Sequence, residues 1–265
     1  MPLPEVPEAG PAEQADLRAA GTAGVPPARL LWENRGMIFD PMYFLFILPG
    51  LGLSIWASAR VKRAFKKYST VPTQRGLSGK QAAEELLRQA GIIDVTVVRS
   101  RGMLSDHYNP VTRTLALSEA VHDSTSVAAI GVATHEAGHA IQHARHYAPL
   151  WVRSALVPTA KIGSSIGYFA MLGGLFLSST GLVLIGAVLF STVLLFQVVT
   201  LPVEFDASNR AKALVVKYGI VTEREREGVD KVLNAAALTY VAAAVSTALT
   251  LLYFLWRSGL IGGRR

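Results

Sequence analysis

Hydrophobic residues in this 265-residue chain are concentrated in a few long runs, and the stretches between the runs are polar. A helix needs about 20 apolar residues to cross the hydrocarbon core of a bilayer, and each run is long enough for at least one crossing. The run over 162–203 contains no charged residue, exceeds one crossing in length and has turn residues at 178–181. The pattern therefore predicts about four transmembrane helices, over 38–59, over 162–203 as a hairpin of two, and over 235–256.

Polar segments flank and separate these predicted helices. Residues 1–37 are rich in proline, alanine, glycine and glutamate and cannot bury enough surface to offset chain entropy, so we expect a disordered tail. Residues 60–161 are numerous enough to fold as a domain, whereas 204–234 and 257–265 are a short polar segment and a C-terminal tail. The chain is thus expected to be an α-helical integral membrane protein with one small polar domain.

The pattern within residues 60–161 is that of an α+β domain. Ser78 followed by Gln81 forms a capping box, which is typical of the start of a helix. Residues 92–98 are typical of a strand, and residues 102–119 are typical of a β-hairpin. Helical and extended segments therefore alternate in this part of the chain.

Basic residues are distributed unevenly among the polar segments. Of the 26 lysines and arginines, 14 lie in 60–161 and six in 204–234, whereas each terminal segment holds three. Because cytoplasmic loops carry an excess of Lys and Arg, both inner polar segments are predicted on the cytoplasmic side of the membrane. The net charge of +7 then indicates contact with lipid headgroups and no nucleic-acid partner, since the basic residues flank a membrane span.

The histidines are clustered, since all six lie between His107 and His146, and the chain has no cysteine. Any metal ion would therefore be bound by imidazole and carboxylate groups. A helix is predicted over most of this region. It is expected to begin at Asp123 or Ser124, since either is a good N-cap, and to end near His146.

A metal-binding motif, H-E-x-x-H, lies in this predicted helix as His135, Glu136 and His139. Residues four apart lie on one helix face about 6 Å from each other, so both imidazoles can bind one ion. Glu136 points near the same place without being a ligand and can act as the general base of metal-assisted hydrolysis. Zinc is the expected cofactor, as one ion, because it accepts imidazole and carboxylate ligands and leaves one position open.

A third protein ligand is required, and Glu204 is the best candidate. It directly follows the third apolar run, where a carboxylate is costly unless it is paired or bound to a metal. Asp206 is the nearest alternative ligand, and Glu204 could also be a helix-end charge that reaches water. His143 extends the histidine face but lies about 12 Å from His135 in a straight helix, which is too far for one ion.

Further polar side chains could assist the reaction as oxyanion or substrate-binding groups. A tetrahedral oxyanion requires a hydrogen-bond donor besides the metal. The candidates are His107, Tyr108 and Arg210, each of which could equally be a turn or surface residue.

Several longer stretches carry a family resemblance. They are FKKYS at 65–69, LSDHYNP at 104–110, HEAGHAIQH at 135–143, YAPL at 147–150, LPVEFDAS at 201–208 and LNAAALTYVAA at 233–243. With them, residues 38–256 resemble the YugP-type neutral zinc metallopeptidases of bacterial membranes. The resemblance implies a gluzincin-like zinc-peptidase domain in the bacterial inner membrane. Because two of the expected ligands lie in the polar segment and the third lies at the end of an apolar run, we expect the polypeptide substrate to be a membrane protein or its exposed tail.

A more distant similarity concerns the third ligand. The segment VEFDAS is similar to the E-[FY]-x-A-D segment of HtpX-type membrane proteases, whose glutamate is a zinc ligand. That similarity implies the ligand role for Glu204. The final aspartate of the pattern, which would orient a ligand histidine, is Ser208 in this chain, and Asp206 could substitute for it.

The sequence therefore predicts a membrane-bound zinc-dependent metalloendopeptidase and no particular oligomeric state. The alternative is a non-hydrolytic membrane scaffold in which zinc is structural, although such a site would not need Glu136. A transporter or channel is disfavoured because the only charged residue within the apolar runs is Asp40, near one end.

Overall fold

A computed structural model describes residues 40–102 and 105–262. The tail predicted over 1–37 lies outside the described residues. The chain divides into two units, Met1–Pro41 and Met42–Arg265, and the elements discussed below belong to the second from Met42 onward.

The structure is mainly helical, with one small sheet. The helices are α1 (Pro41–Tyr68), α2 (Gly79–Gln89), α3 (Glu119–His122), α4 (Val127–Ala144), α5 (Ala148–Ile162), α6 (Tyr168–Phe176), α7 (Thr180–Lys217) and α8 (Glu223–Arg257). A π-helical turn, Gly163–Gly167, joins α5 to α6, and the strands are β1 (Thr96–Ser100), β2 (His107–Asn109) and β3 (Thr114–Ser118).

Among the described residues, three helices are long and apolar enough to cross a membrane: α1, α7 and α8. The expected count of four is not matched, and the difference lies in the first half of the expected hairpin. There the π-helical turn interrupts the α-helical hydrogen-bond ladder and leaves α6 with nine residues. At 1.5 Å per residue α6 spans about 14 Å, less than half of a hydrocarbon core.

The apolar helices pack against one another through small residues and aromatic side chains. Gly50 of α1 faces Ser246 of α8, whose hydroxyl donates a hydrogen bond of 2.9 Å to the Gly50 carbonyl. A cluster of buried side chains joins α6, α7 and α8, and it includes Met171, Phe190 and Tyr253. The helix α6 is therefore packed with the long apolar helices rather than with the polar part of the chain.

The polar part has its own hydrophobic core, built from α2, the sheet, α4 and the polar ends of α7 and α8. It contains Leu86, Leu115, Ile130, Val215 and Val229, one from each of five elements. The capping box expected at the start of α2 is present, because Ser78 accepts a hydrogen bond from the Gln81 backbone and the Gln81 side chain accepts one in return.

The sheet has the strand order β1–β3–β2, with β1 parallel and β2 antiparallel to β3. The antiparallel pair matches the hairpin expected over 102–119. The first strand begins at Thr96 rather than at residue 92, because Ile92 enters the core, Ile93 is exposed and Asp94 pairs with Arg113. Extended pairing therefore starts only after these three residues.

The helix α4 begins later than expected, with Ser126 as its N-cap in place of Asp123 or Ser124. The Ser126 hydroxyl accepts a hydrogen bond of 3.3 Å from the Ala129 backbone. Most residues of α4 are small and buried, so neighbouring helices approach closely. At Gly138 an added Cβ would lie 2.6 Å from the Ala207 carbonyl of α7, so only glycine fits there.

The helix α7 is continuous over 38 residues, which corresponds to about 57 Å. Its first part is apolar, whereas its last part packs in the hydrophobic core of the polar part through Ala211 and Val215. Glu204 lies where the two parts meet and is buried. The contact at Gly138 fixes the distance between α4 and this part of α7.

We expect Gly138→Ala to destabilise the protein by about 1–3 kcal/mol, because the added methyl group would overlap the Ala207 carbonyl. Since α4 and α7 would separate, zinc affinity should fall as well. Thermal unfolding and zinc titration measure both effects.

Gly131→Ala, on the same helix, is the matched control. Its added Cβ would meet Val229 at an ordinary 3.5 Å, and alanine favours a helix interior by about 1 kcal/mol over glycine. Equal unfolding temperatures for the two variants would contradict the close contact at Gly138.

Candidate metal centre

Two helices bring three potential metal ligands together. His135 and His139 come from α4, and Glu204 comes from α7, 65 residues or more further along the chain. One ligand atom of each residue lies within 4.8 Å of the others, and this is the group of metal-binding type found among the described residues. The two imidazoles lie next to each other because they are one helical turn apart.

Two of the three distances between these donors match those of a tetrahedral zinc site, and the third, between the two imidazoles, is within 4.8 Å. The Oε2 atom of Glu204 lies 3.2 Å from Nε2 of His135 and 3.5 Å from Nε2 of His139. Zinc bonds of about 2.0–2.1 Å at tetrahedral angles require ligand atoms about 3.3 Å apart. Two nitrogens and one carboxylate oxygen are also a donor set that zinc accepts. The residues therefore fit the ion that the sequence predicted.

The negative charges of Glu136 and Glu204 also favour a cation between these side chains. Burial disfavours the charged form of His139, but the hydrogen bond to Glu204 and the charges of Glu136 and Glu204 outweigh it and raise the pKa of His139. The side chain of Glu204 is only 3% exposed, so its carboxylate requires a positive partner.

Ser208 orients the first imidazole. Its hydroxyl lies 3.1 Å from Nδ1 of His135, which leaves Nε2 facing Glu204. A partner on the outer nitrogen fixes the tautomer and the ring direction of a ligand histidine. Ser208 stands where the distantly similar proteases have aspartate, so the shorter side chain still reaches the ring.

A longer chain of hydrogen bonds orients the second imidazole. Nδ1 of His139 lies 3.0 Å from Oε1 of Gln142, which is fully buried. The amide nitrogen of Gln142 in turn donates to the carbonyl of Val203 at 2.7 Å and to Oδ2 of Asp206 at 2.8 Å. Nε of Arg210 donates to the same Asp206 oxygen at 2.6 Å.

Asp206 and Arg210 therefore support the site from outside the group of three ligand atoms. Asp206 was the alternative third ligand, but its Oδ2 accepts from Gln142 and Arg210, and it is not in the group of potential ligands. Gln142 had no metal-binding signal in the sequence. Its position three residues after His139, on the same buried face, is the one feature that could have indicated it.

The other candidate residues lie apart from the three ligand atoms. Nδ1 of His107 lies 2.8 Å from the carbonyl of Ser105, just before β2, and His107 is exposed. The hydroxyl of Tyr108 lies 2.8 Å from Nδ1 of His143, whose ring also packs edge-on against Trp151. Burial lowers the pKa of His143, so this imidazole is neutral at neutral pH.

Two residues that the sequence did not indicate lie next to Glu204. Nη2 of Arg153, on α5, lies 3.5 Å from Oε1 of Glu204, whereas the histidines approach Oε2. The hydroxyl of Tyr240, on α8, lies close enough to Glu204, Glu136 and Arg153 to interact with all three. Four helices thus converge on this carboxylate.

We expect Gln142→Leu to weaken zinc binding by about 10–100-fold, the usual cost of losing an outer partner of a ligand histidine. Leucine matches glutamine in size but leaves Nδ1 of His139 without its acceptor. Competition with a chromogenic chelator measures the zinc affinity. Gln89→Leu, an exposed position on α2, is the control, and equal zinc affinities for both variants would contradict the orienting role.

Comparison with known proteins agrees with this site, although no solved structure matches the chain. A protein of Bacillus subtilis (strain 168) named "Putative membrane protease YugP" is 45% identical over 214 residues, which cover 80% of this chain and 95% of that protein. The family model described as "Putative neutral zinc metallopeptidase" matches residues 43–259. The chain therefore belongs to this family of neutral zinc metallopeptidases.

Proposed function

We propose that the protein is a membrane-bound zinc-dependent endopeptidase. The observation that carries the proposal is the convergence of His135, His139 and Glu204 next to Glu136. A structural zinc site requires only ligands, whereas a hydrolytic site requires three protein ligands, an open position and a general base. This arrangement supplies the three ligands and the base.

The proposed chemistry divides between the metal and the protein. A zinc ion bound by the three ligands supplies Lewis-acid activation of water and of the scissile carbonyl. The carboxylate of Glu136 accepts a proton from the attacking water and passes it to the nitrogen of the leaving amine. Ser208 and Gln142 hold the two imidazoles in the direction that this requires.

The proposed substrates are membrane proteins or their exposed tails. Glu204 lies on a helix that continues into an apolar membrane-spanning segment, so the site is close to the membrane surface. The strand β2 is the terminal strand of the sheet, and its Tyr108 contacts His143 on the helix of the metal ligands. An extended polypeptide can pair with such an edge, which gives affinity without strict sequence preference.

The proposed placement in the bacterial inner membrane has four crossings. The backbone is helical from α5 through the π-helical turn to α6, and α6 packs in one cluster with α7 and α8. We infer that this broken helix accompanies the three long helices through the bilayer. With both inner polar segments rich in basic residues, the metal site lies on the cytoplasmic side.

The proposal is tested with full-length protein in detergent or in liposomes. We expect about one zinc per chain by metal analysis, and cleavage of casein or of a quenched fluorescent peptide. A chelator should abolish cleavage, and added zinc should restore it, because metal binding is an equilibrium. Cleavage that persists after complete removal of the metal would contradict the proposal.

A further inference from the structure

The oxyanion donors expected from the sequence lie elsewhere, and two unpredicted residues stand at the metal centre. His107 and Tyr108 have partners in the loop and in α4, and Arg210 is bound to Asp206. Arg153, in contrast, contacts the buried carboxylate of Glu204, and Tyr240 lies close enough to interact with it.

We propose that Arg153 and Tyr240 are catalytic residues that donate hydrogen bonds to the substrate carbonyl oxygen as it becomes an oxyanion. The inference rests on the proposed peptidase function. Both groups keep their protons and neither forms nor breaks a covalent bond. Their contribution is charge and hydrogen bonding at the oxygen that gains negative charge when water adds to the carbonyl.

The first argument is that Arg153 and the histidines approach different oxygens of the Glu204 carboxylate. Oε2 of Glu204 faces the two imidazoles, whereas Arg153 approaches Oε1 at 3.5 Å. A guanidinium has five N–H donors, and a single contact of this length leaves others for a substrate. The side chain of Arg153 is 30% exposed, so a bound polypeptide can reach it.

The second argument is the position of Tyr240 between the reacting groups. Its hydroxyl lies close enough to Glu204, Glu136 and Arg153 to interact with all three. The residue therefore approaches the general base and the metal ligands from α8. A phenolic hydroxyl is a hydrogen-bond donor, so it can donate to an incoming carbonyl oxygen.

The third argument is the total charge. A doubly positive zinc ion with Glu204 and Glu136 sums to zero, and a further cation such as Arg153 weakens zinc binding by repulsion. With Arg153 the site is positive by one charge, which is what an oxyanion requires. A group that only oriented Glu204 would not need a charge.

The test uses full-length protein carrying Tyr240→Phe, which removes only the hydroxyl, or Arg153→Met, which removes the guanidinium with its charge and its hydrogen-bond donors. For each variant we expect kcat to fall by about 10²–10³-fold, as for loss of one oxyanion donor, with KM nearly unchanged. Arg153→Lys should recover part of the loss. Tyr218→Phe and Arg224→Met, which lie outside the metal centre, should behave as wild type.

Two further measurements separate this role from an orienting one. A phosphinic peptide, in which a tetrahedral phosphinate replaces the scissile amide, should lose affinity in parallel with kcat/KM, because it resembles the transition state. Zinc affinity should fall by no more than about threefold, whereas loss of an orienting partner costs about 10–100-fold. A loss of zinc affinity that accounts for the loss of activity would overturn the inference.

Two outcomes would also overturn it in other ways. Activity lost only on peptides with a free C-terminus, and kept on amidated ones, would mean that Arg153 binds a terminal carboxylate. Wild-type rates in both variants would leave the peptidase function intact and refute only the oxyanion role. If the wild type itself neither cleaved peptides nor bound the phosphinic peptide, the proposed function and this inference would fail together.

Discussion

Replacing Glu136 with glutamine is expected to reduce peptide hydrolysis by about 10²–10⁴-fold, the usual contribution of a general base. Glutamine has the same shape as glutamate but cannot accept a proton from water at neutral pH. Because Glu136 is not among the three potential ligands, the zinc content should stay at the wild-type level. Steady-state rates with a quenched peptide and metal analysis of the same samples measure both quantities.

Glu84→Gln is the matched control, because Glu84 is exposed on α2 and the substitution is the same. It should leave the hydrolysis rate unchanged. Equal rates for Glu136→Gln and wild type, at equal zinc content, would show that zinc has a structural role and would favour the non-hydrolytic scaffold. Loss of zinc in Glu136→Gln would show that the side chain supports the metal rather than the proton transfer.

Replacing Glu204 with alanine is expected to abolish both zinc retention and hydrolysis. The two imidazoles of α4 would remain but would lose the carboxylate that lies 3.2 and 3.5 Å from them. The loss of zinc affinity should exceed the about 10–100-fold cost of removing an outer partner. Arg153 would also lose its contact with Glu204, so the site would gain uncompensated positive charge.

Two other variants show whether the effect is specific to a ligand. Glu227→Ala removes an exposed carboxylate from α8 and should change neither zinc content nor activity. Asp206→Asn should weaken zinc by about 10–100-fold, because Asp206 acts through Gln142. If Asp206→Asn lost all zinc while Glu204→Ala retained it, Asp206 would be the third ligand. Unfolding temperatures of the three variants establish that each one folds.

The local parts of the fold could be predicted from the sequence because their causes lie within a few residues. The capping box depends only on Ser78 and on Gln81, three positions later, and it is present. The pairing of His135 with His139 follows from the helical repeat alone. The predicted start of α4 was wrong by a few residues. Ser124 and Ser126 are both good caps, but the Ser124 carbonyl accepts a hydrogen bond from the Gly79 backbone and the helix begins after Ser126.

The approach of Glu204 to the histidines could be anticipated from an energetic argument rather than from spacing. A carboxylate at the end of an apolar run needs a positive partner, and in a chain with clustered histidines a metal site is the natural one. The same argument favours Glu204 over Asp206 only weakly. The structure separates them, because Glu204 faces the histidines of α4, whereas Asp206 accepts hydrogen bonds from Gln142, later on the same helix, and from Arg210.

The parts of the site that could not be predicted depend on packing between distant helices. Arg153 and Tyr240 reach Glu204 from α5 and α8, and nothing in their neighbouring residues indicates which way these side chains point. The division of the expected second crossing by a π-helical turn is a similar case. Gly163 and Gly167 in that turn lie against the backbone of α7, so the geometry depends on a contact with another helix.

The continuity of α7 has a practical consequence for work with the protein without detergent. Glu204 of the candidate metal site and residues of the hydrophobic core of the polar part share one unbroken helix with a segment that is long and apolar enough to cross a membrane. No loop between them offers a place to truncate the chain. A water-soluble version would therefore require polar substitutions at the exposed apolar positions of the long helices. Excision of the polar part would instead cut through α7 beside Glu204.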